Sequence, residues 1–317
     1  MHRQHTHIAS RISHVATALE RRGIVATYDI HDRALSNRSS RRRFASQQPA
    51  LDDVQRRIVE TLDRDGYIVL PFTDLFDEDL TTAVLEQGAA FVDETGSALA
   101  AEASGGSASG LRRRAGKEFV VRAYSFEGVT LDTSRNPWLR ACLSHRLLDV
   151  ANAYLRMWAK LSYVDMWYTA PQPAGSERAA SQLWHRDFDD KHLLKAFLYL
   201  VDVDETTGPF EYVSGSQPGG RYEDQWPWAP LGTGRISEDD VAGRVVPDDV
   251  KTFTAPRGTL ILCNTSGLHR GGFATGTPRA LATATYCSAA SLKALSVRNF
   301  TPAGNETADP IVQYAVS

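Results

Sequence analysis

Two histidines and one aspartate, placed next to predicted β-strands, constrain this chain more than any other feature. His185 and Asp187 form an H-x-D triplet just before an apolar run, residues 196–203, that predicts a buried strand. Side chains at positions i and i+2 of a strand point to the same face, so this imidazole and this carboxylate can bind one metal ion together. His269 comes soon after a second predicted strand, residues 259–264. The pattern predicts a metal site at the end of a β-structure.

The triplet alone is weak support, because a chain with 9 His and 38 acidic residues contains an H-x-[D/E] about once by chance. A surface His beside a surface Asp is the alternative for the triplet taken alone. His269 changes the balance, since two imidazoles and one carboxylate make the facial triad that suits non-haem Fe(II). Arg279 opens the next predicted strand, where its guanidinium can hold a carboxylate through two parallel hydrogen bonds.

Together these motifs resemble the phytanoyl-CoA dioxygenase family of Fe(II)/2-oxoglutarate oxygenases. The predicted helix and strand over residues 51–71 are similar to the start of family members, and the resemblance spans about residues 50–290. The chain departs from the family at Gln217, where G-S-H is frequent and G-S-Q stands here. That position is not a metal ligand in the family, so we expect the departure to affect local structure only. The resemblance rests on His185, Asp187, residues 208–216, His269 and Arg279.

The resemblance implies a mainly β protein with flanking helices (α+β), built on a double-stranded β-helix core, a jelly-roll or cupin-like pair of sheets. It implies Fe(II) on His185, Asp187 and His269, and 2-oxoglutarate as cosubstrate with its far carboxylate on Arg279. Further candidates for binding the cosubstrate are Gln182 and Lys117, and candidates for binding the substrate are Phe188, Tyr168, Trp226 and Trp228.

The implied reaction is a dioxygenase reaction, with hydroxylation of a small molecule by O2 as the default and with succinate and CO2 as co-products. No motif selects the substrate, the outcome among related oxidations, or the oligomeric state. Two alternatives stay open: a cupin-like metal enzyme that does not use 2-oxoglutarate, and a non-catalytic binding protein of the same fold. Arg279 speaks against the first alternative and the intact triad against the second.

The amino-acid composition indicates the class of protein and its cellular compartment. The chain is 42% hydrophobic and 23% charged, as is typical of soluble globular proteins, and no apolar run approaches a membrane span. Three widely separated cysteines suggest reduced thiols in the cytoplasm. The first 50 residues contain nine Arg and three acidic residues. A short basic run without a folded reader is weak support for nucleic-acid binding, and we expect no nucleic-acid or membrane partner.

We predict three regions: a basic N-terminal extension (residues 1–50), the oxygenase domain (51–300) and a turn-rich C-terminal tail (301–317). Apolar residues over 8–19 recur on one helix face, whereas residues 36–49 are polar and predicted to be mobile. An Arg-rich amphipathic start also fits a mitochondrial presequence, but a bacterial tail or docking helix is preferred. The composition of residues 95–116 predicts a flexible loop, either an active-site lid or a surface loop. The insertion over residues 219–257 is predicted to take part in substrate recognition.

Overall fold

The described β-structure consists of two antiparallel sheets and one short parallel pair, Leu131–Asp132 with Phe300–Thr301. The computed structural model describes residues 23–105, 111–124, 130–230, 232, 234–292 and 300–317. The strands, in chain order, are β1 (Tyr67–Pro71), β2 (Arg113–Arg114), β3 (Lys117–Arg122), β4 (Leu131–Asp132), β5 (Lys160–Thr169), β6 (Leu193–Tyr199), β7 (Phe210–Val213), β8 (Val250–Phe253), β9 (Thr259–Cys263), β10 (His269–Arg270), β11 (Arg279–Cys287) and β12 (Phe300–Thr301).

The strand order identifies the architecture. The larger sheet runs β1-β9-β6-β11-β5-β3-β2, and the smaller one runs β10-β7-β8. An isolated antiparallel bridge from His185 to His269 adds one more chain segment to the β10 edge of the smaller sheet. The chain therefore passes from β5 to His185, to β6, to β7 and β8, to β9, to β10 and finally to β11, moving repeatedly between the sheets. This winding is a double-stranded β-helix, and it confirms the predicted fold.

Alternation along the strands of the larger sheet creates two apolar layers. The inner layer lies between the two sheets, and the outer layer lies between the larger sheet and the helices. Strand β5 supplies Val164, Met166 and Tyr168 to the outer layer, while Trp167 packs against the inner one. The inner layer is formed by Phe197, Tyr199, Val203, Phe210, Tyr212, Phe253, Ile261, Cys263 and Leu281.

Helices cover the outer face of the larger sheet. Asp52 caps α2 with a reciprocal capping box to Gln55, and Gly66 ends that helix in the left-handed conformation at φ 80°. Gln217 donates from Nε2 to the Asp63 carbonyl at 3.3 Å, so the departure from G-S-H serves to anchor the end of α2. The helices are α1 (Arg38–Ser46), α2 (Asp53–Asp65), α3 (Glu78–Ala103), α4 (Pro137–Leu143), α5 (His145–Leu155), α6 (Glu238–Ala242) and α7 (Pro310–Val316).

Several local predictions were wrong, each for a physical reason. Residues 38–46 of the polar segment form α1, because the Arg43 guanidinium packs over the ring of Trp158 at 5.3 Å. The Ala-rich residues 95–103 continue α3, since alanine is the best helix former.

The C-terminal tail was also mispredicted: it contains α7, which Asp309 caps and which buries Ile311. The predicted helix face over residues 8–19 and the centre of the predicted loop, residues 106–110, lie outside the described residues. Within the described ranges, the three cysteines are buried free thiols. No helix in those ranges combines the length and the apolarity needed to cross a bilayer.

Two glycines of α3 test how tightly this helix packs on the sheet. A Cβ added to Gly88 would lie 2.4 Å from Cδ2 of Leu200, whereas one added to Gly96 would meet only the Tyr168 hydroxyl oxygen at 3.8 Å. Alanine stabilises a helix interior by about 1 kcal/mol over glycine, while overpacking costs about 1–3 kcal/mol. We expect Gly96→Ala to raise the free energy of unfolding. The free energy of unfolding of Gly88→Ala should be about 1–3 kcal/mol lower than that of Gly96→Ala. Urea unfolding of both variants measures this difference, and equal stability would contradict the close contact at Gly88.

Candidate metal centre

Two chain segments that are distant in sequence bring three potential metal ligands together. His185 and His269 pair through two backbone hydrogen bonds, N–H to carbonyl, at 2.9 Å and 3.0 Å. The backbone N–H of Asp187 donates to the Thr265 carbonyl at 2.8 Å, which fixes the turn after the triplet. One ligand atom from each of His185, Asp187 and His269 lies within 4.8 Å of the other two. The predicted triad is therefore assembled in space.

Backbone carbonyls set the orientation of both imidazoles. Nδ1 of His185 donates to the Leu183 carbonyl at 2.8 Å, and Nδ1 of His269 donates to the Gly267 carbonyl at 2.9 Å. Each Nδ1 therefore carries the proton, and each Nε2 keeps its lone pair for a metal. Metal-binding histidines usually have such a second hydrogen bond, because it holds both the tautomer and the ring plane. The residues present thus fit a divalent metal with nitrogen and oxygen ligands.

Burial and neighbouring charges keep the three side chains in their metal-binding protonation states. Burial and the neighbouring imidazole lower the pKa of His185 to about 2, and burial lowers the pKa of His269 to about 4. Burial alone would raise the pKa of Asp187, but the Lys195 ammonium and both histidines outweigh it and hold this pKa well below its ordinary value. Two neutral imidazoles and one carboxylate result, which is the donor set typical of non-haem Fe(II).

Lys195 is a contact of the triad that the sequence did not reveal. Its Nζ lies 2.5 Å from Oδ2 of Asp187, and both side chains are largely buried. Asp187 in turn raises the pKa of Lys195, so the ammonium stays charged. The ion pair holds the Asp187 carboxylate in place, and the same Oδ2 lies 3.8 Å from Nε2 of His269.

A cavity adjoins the triad and contains the predicted cosubstrate residues. Arg279, Gln182 and Lys117 line it together with the three ligands. Its walls are partly aromatic, with Phe197 and Phe210 among them. The remaining lining residues are Phe119, Val120, Arg122, Trp167, Thr169, Ser181, Lys195, Gly271, Gly272 and Leu281.

Arg279 is buried and only partly hydrogen-bonded. Its Nη1 donates to the Gly208 carbonyl at 2.6 Å, while its Nε is buried without a partner among the described residues. Gly272 gives the backbone room for this arrangement, because a Cβ at that position would lie 1.8 Å from the Gly208 carbonyl oxygen. The guanidinium is thus fixed on one side and has donors left over on another.

Gln182 shows the same incomplete bonding. Its Oε1 accepts from the Ala179 N–H at 3.0 Å, but its Nε2 is buried and has no partner in the described part of the chain. Unpaired buried donors are costly, and they are frequently satisfied by a ligand. Arg279 and Gln182 together present donors to the cavity that a carboxylate or keto oxygen would fit.

The aromatic residues predicted to bind substrate lie outside the cavity wall. Tyr168 is on the outer face of β5 and packs in the layer beneath the helices; its neighbour Trp167 lines the cavity instead. The two neighbours differ in this way because adjacent strand residues point to opposite faces. Trp226 is buried in a separate apolar cluster with Trp184 and Ile236. The insertion therefore packs back onto the smaller sheet at this point.

Trp228 and Phe188 flank the metal-binding turn. Nε1 of Trp228 donates to the Asp187 carbonyl at 3.0 Å, so Trp228 supports the backbone of a ligand. Phe188 is 49% exposed and stands next to Asp187 in the chain. Of the four predicted substrate residues, Phe188 alone presents a large solvent-accessible apolar surface beside the triad.

The N-terminal segment contributes to this turn as well. The helical residues 23–36 place Tyr28 against Trp228, with ring centroids 4.9 Å apart. The Tyr28 hydroxyl donates to Oδ1 of Asp190 at 2.9 Å and accepts from the Lys191 N–H at 3.2 Å. Residues upstream of the predicted domain boundary thus hold the loop that follows the H-x-D triplet.

Comparisons with known proteins were made for the sequence and for the fold. No model of a known protein family matches the chain, and no curated protein sequence matches it. Among solved structures, EctD from S. alaskensis with 2-oxoglutarate and 5-hydroxyectoine is 20% identical, covering 76% of this chain and 79% of its own, at a TM-score of 0.47.

Two further solved structures are similar to this chain over about three quarters of its length. HygX from Streptomyces hygroscopicus with nickel, 2-oxoglutarate and hygromycin B is 14% identical over 75% of this chain and 87% of its own, at a TM-score of 0.45. The non-haem alpha-ketoglutarate-dependent epimerase SnoN from nogalamycin biosynthesis is 15% identical over 74% of this chain and 82% of its own, at a TM-score of 0.45.

The protonation states predict how metal binding depends on pH. The pKa values of His185 (about 2) and His269 (about 4) lie below neutrality, so the metal displaces no proton from either imidazole. We expect Mn(II) to bind without net proton release between about pH 6 and pH 8. Calorimetric titration in two buffers of different ionisation enthalpy should give equal heats. A His269→Gln variant is the control for binding at the site, and release of about one proton would contradict the neutral pair.

Proposed function

We propose that this chain is an Fe(II)- and 2-oxoglutarate-dependent dioxygenase that hydroxylates or otherwise oxidises a small molecule. In the hydroxylation, one oxygen atom of O2 enters the substrate and the other enters succinate, while 2-oxoglutarate loses CO2. The observation that carries the proposal is the placement of His185, Asp187 and His269 beside one cavity with the buried Arg279. A bare metal site would not require a buried guanidinium in the same cavity.

The donors left over in the cavity support 2-oxoglutarate as the cosubstrate. Arg279 can hold the far carboxylate through Nε, since only its Nη1 is occupied. The unpaired Nε2 of Gln182 can donate to an oxygen nearer the metal. Lys117 enters the same cavity from β3, on a different strand from Arg279. A dicarboxylate would satisfy the Arg279 and Gln182 donors, which otherwise stay buried and without a partner among the described residues.

The protein supplies position and exclusion of water, whereas Fe(II), when bound, supplies the O2 chemistry and the chelation of 2-oxoglutarate. His185 and His269 offer Nε2 because their Nδ1 protons are bound to carbonyls. Asp187 keeps its charge because Lys195 pairs with it. Phe197, Phe210 and Leu281 give the cavity apolar walls, which strengthen each electrostatic contact inside.

Phe188 is the substrate contact that we retain from the sequence, because its exposed ring follows a metal ligand directly. Trp167 joins it as a cavity residue that can touch a substrate. The proposed setting is the cytoplasm, which the three free thiols support.

Removal of one ligand tests the metal site. We expect anaerobic Fe(II) and 2-oxoglutarate to give a visible charge-transfer band with the native chain and none with Asp187→Asn. Fe(II) affinity should fall by at least tenfold, because two imidazoles alone hold the metal weakly. Equilibrium dialysis measures that affinity, and the exposed Asp224→Asn serves as a control that should keep the band. Iron binding without a band would favour a metal enzyme that does not use 2-oxoglutarate. Loss of both from the native chain would favour a binding protein.

Substitution of Arg279 tests the cosubstrate site. Removing one partner of a buried charged pair costs roughly 2–5 kcal/mol, so Arg279→Ala should raise the KM for 2-oxoglutarate by roughly 30-fold to several thousand-fold. Arg279→Lys should recover part of the loss, because an ammonium does not reproduce the planar fork. Iron affinity should change little in either variant. Succinate formation at varied 2-oxoglutarate measures the effect, with the exposed Arg257→Ala as the control. An unchanged KM in Arg279→Ala would place the carboxylate elsewhere.

A further inference from the structure

The cavity contains a second fixed guanidinium that the metal and the cosubstrate do not require. Arg122 lines the cavity from β3. Its guanidinium stands over the Trp167 ring at 5.2 Å, and its Nη1 donates to the Tyr163 hydroxyl at 3.0 Å. Its Nε is buried and has no partner among the described residues. A held guanidinium with unused donors is a preorganised anion site.

The sheet register separates Arg122 from Arg279. Arg279 pairs with Thr169, at one end of the paired part of β5. Tyr163, which holds the Arg122 guanidinium, pairs with Thr285 near the other end, and Thr285 pairs with Lys195 on β6. Because Lys195 contacts Asp187, this row of the sheet lies at the metal end of the cavity. Arg122 itself pairs with Trp167, whose row lies between the rows of Arg279 and Lys195, and its Nη1 reaches the Tyr163 hydroxyl. Arg122 therefore lies between the Arg279 end and the metal end of the cavity.

Neighbouring hydrogen bonds fix Arg122 in this direction. The Tyr163 hydroxyl donates to Oδ2 of Asp165 at 2.6 Å, and Nε1 of Trp167 donates to the same oxygen at 3.2 Å. Asp165 is fully buried and is linked to Arg122 through the Tyr163 hydroxyl. The carboxylate thus orients the two aromatic residues that position the guanidinium.

A charge count shows that the cavity is still positive after the cosubstrate binds. Among the described lining residues, Lys117, Arg122, Lys195 and Arg279 are cationic and Asp187 is the one carboxylate. Asp165 behind the wall adds a second negative charge. Fe(II) and the 2-oxoglutarate dianion cancel each other, so four cations face two carboxylates. Arg235, which does not line the cavity, lies close enough to His185 and Asp187 to act on both electrostatically.

We infer that the substrate carries an anionic group, a carboxylate or a phosphate, which Arg122 binds between the Arg279 end and the metal end of the cavity. This inference rests on the proposed function and adds a substrate class to it. The Arg122 side chain is half-buried with an Nε that has no partner among the described residues, and a substrate anion would satisfy that donor. The aromatic wall formed by Phe197, Phe210 and Trp167 then receives the apolar part of the same molecule.

Calorimetry with simple probes tests the anion site. The protein is loaded with Fe(II) under anaerobic conditions, with and without 2-oxoglutarate, and titrated with hexanoate, inorganic phosphate and the neutral hexanamide at millimolar concentrations. We expect at least one anion to bind in the presence of 2-oxoglutarate and hexanamide to bind at least tenfold more weakly. The tighter of the two anions identifies the headgroup chemistry.

Variants assign the bound anion to Arg122. Arg122→Met should weaken probe binding at least tenfold, Arg122→Lys should restore part of it, and the exposed Arg140→Met should match the native chain. Thermal unfolding confirms that each variant is folded. The inference is overturned if neither anion binds, if 2-oxoglutarate competes with the probe, or if Arg122→Met binds it as the native chain does. If 2-oxoglutarate does not bind, the proposed function is contradicted instead. The role of Arg122 is still measured in that case, from probe binding to the Fe(II) protein without 2-oxoglutarate.

Discussion

The backbone pairing of His185 with His269 is the interaction on which the candidate centre depends. Two hydrogen bonds join the segments, and the Leu183 and Gly267 carbonyls then hold the imidazole rings. The ligand atoms consequently converge before any metal arrives, at the open end of a barrel whose inner layer is apolar. Order of this kind lowers the entropic cost of binding, because the side chains do not have to be gathered from flexible loops. The rest of the cavity is built outward from that pair.

Charge is distributed along the cavity rather than collected at one point. Arg279 lies at one end, Lys195 lies beside the metal ligands, and Arg122 lies between them. In a partly desolvated space each of these cations acts over a longer range than it would in water. Such a layout favours ligands whose negative groups are spaced to match, and it disfavours neutral or cationic molecules of the same size. Specificity can thus arise from electrostatics before any close packing is considered.

The sequence predicted the triad and the double-stranded β-helix because these depend on motifs beside recognisable strands. Lys195 and Arg122 were missed, since each is positioned by a residue outside its own strand, Asp187 or Tyr163, and no local pattern records such a contact. Tyr168 was chosen where Trp167 lines the cavity, because the parity of a buried strand is hidden when both of its faces are apolar. Tertiary contacts also turned polar or turn-rich segments into helices at both ends of the described chain.

The contact between Tyr28 and Asp190 joins residues that are 162 positions apart. Asp190 is buried and is also bonded by the N–H groups of His192 and Ser288, so the tyrosine hydroxyl completes a set that solvent cannot replace. Residues before position 50 therefore pack against the predicted oxygenase domain, and the predicted boundary at residue 50 marks a change in composition. We therefore expect residues 28 and 190 to be substituted together in related sequences, because a change at either one removes the hydrogen bond between them. A recombinant protein begun at Leu51 would lose half of that pair and leave the ligand-bearing turn without its outer support.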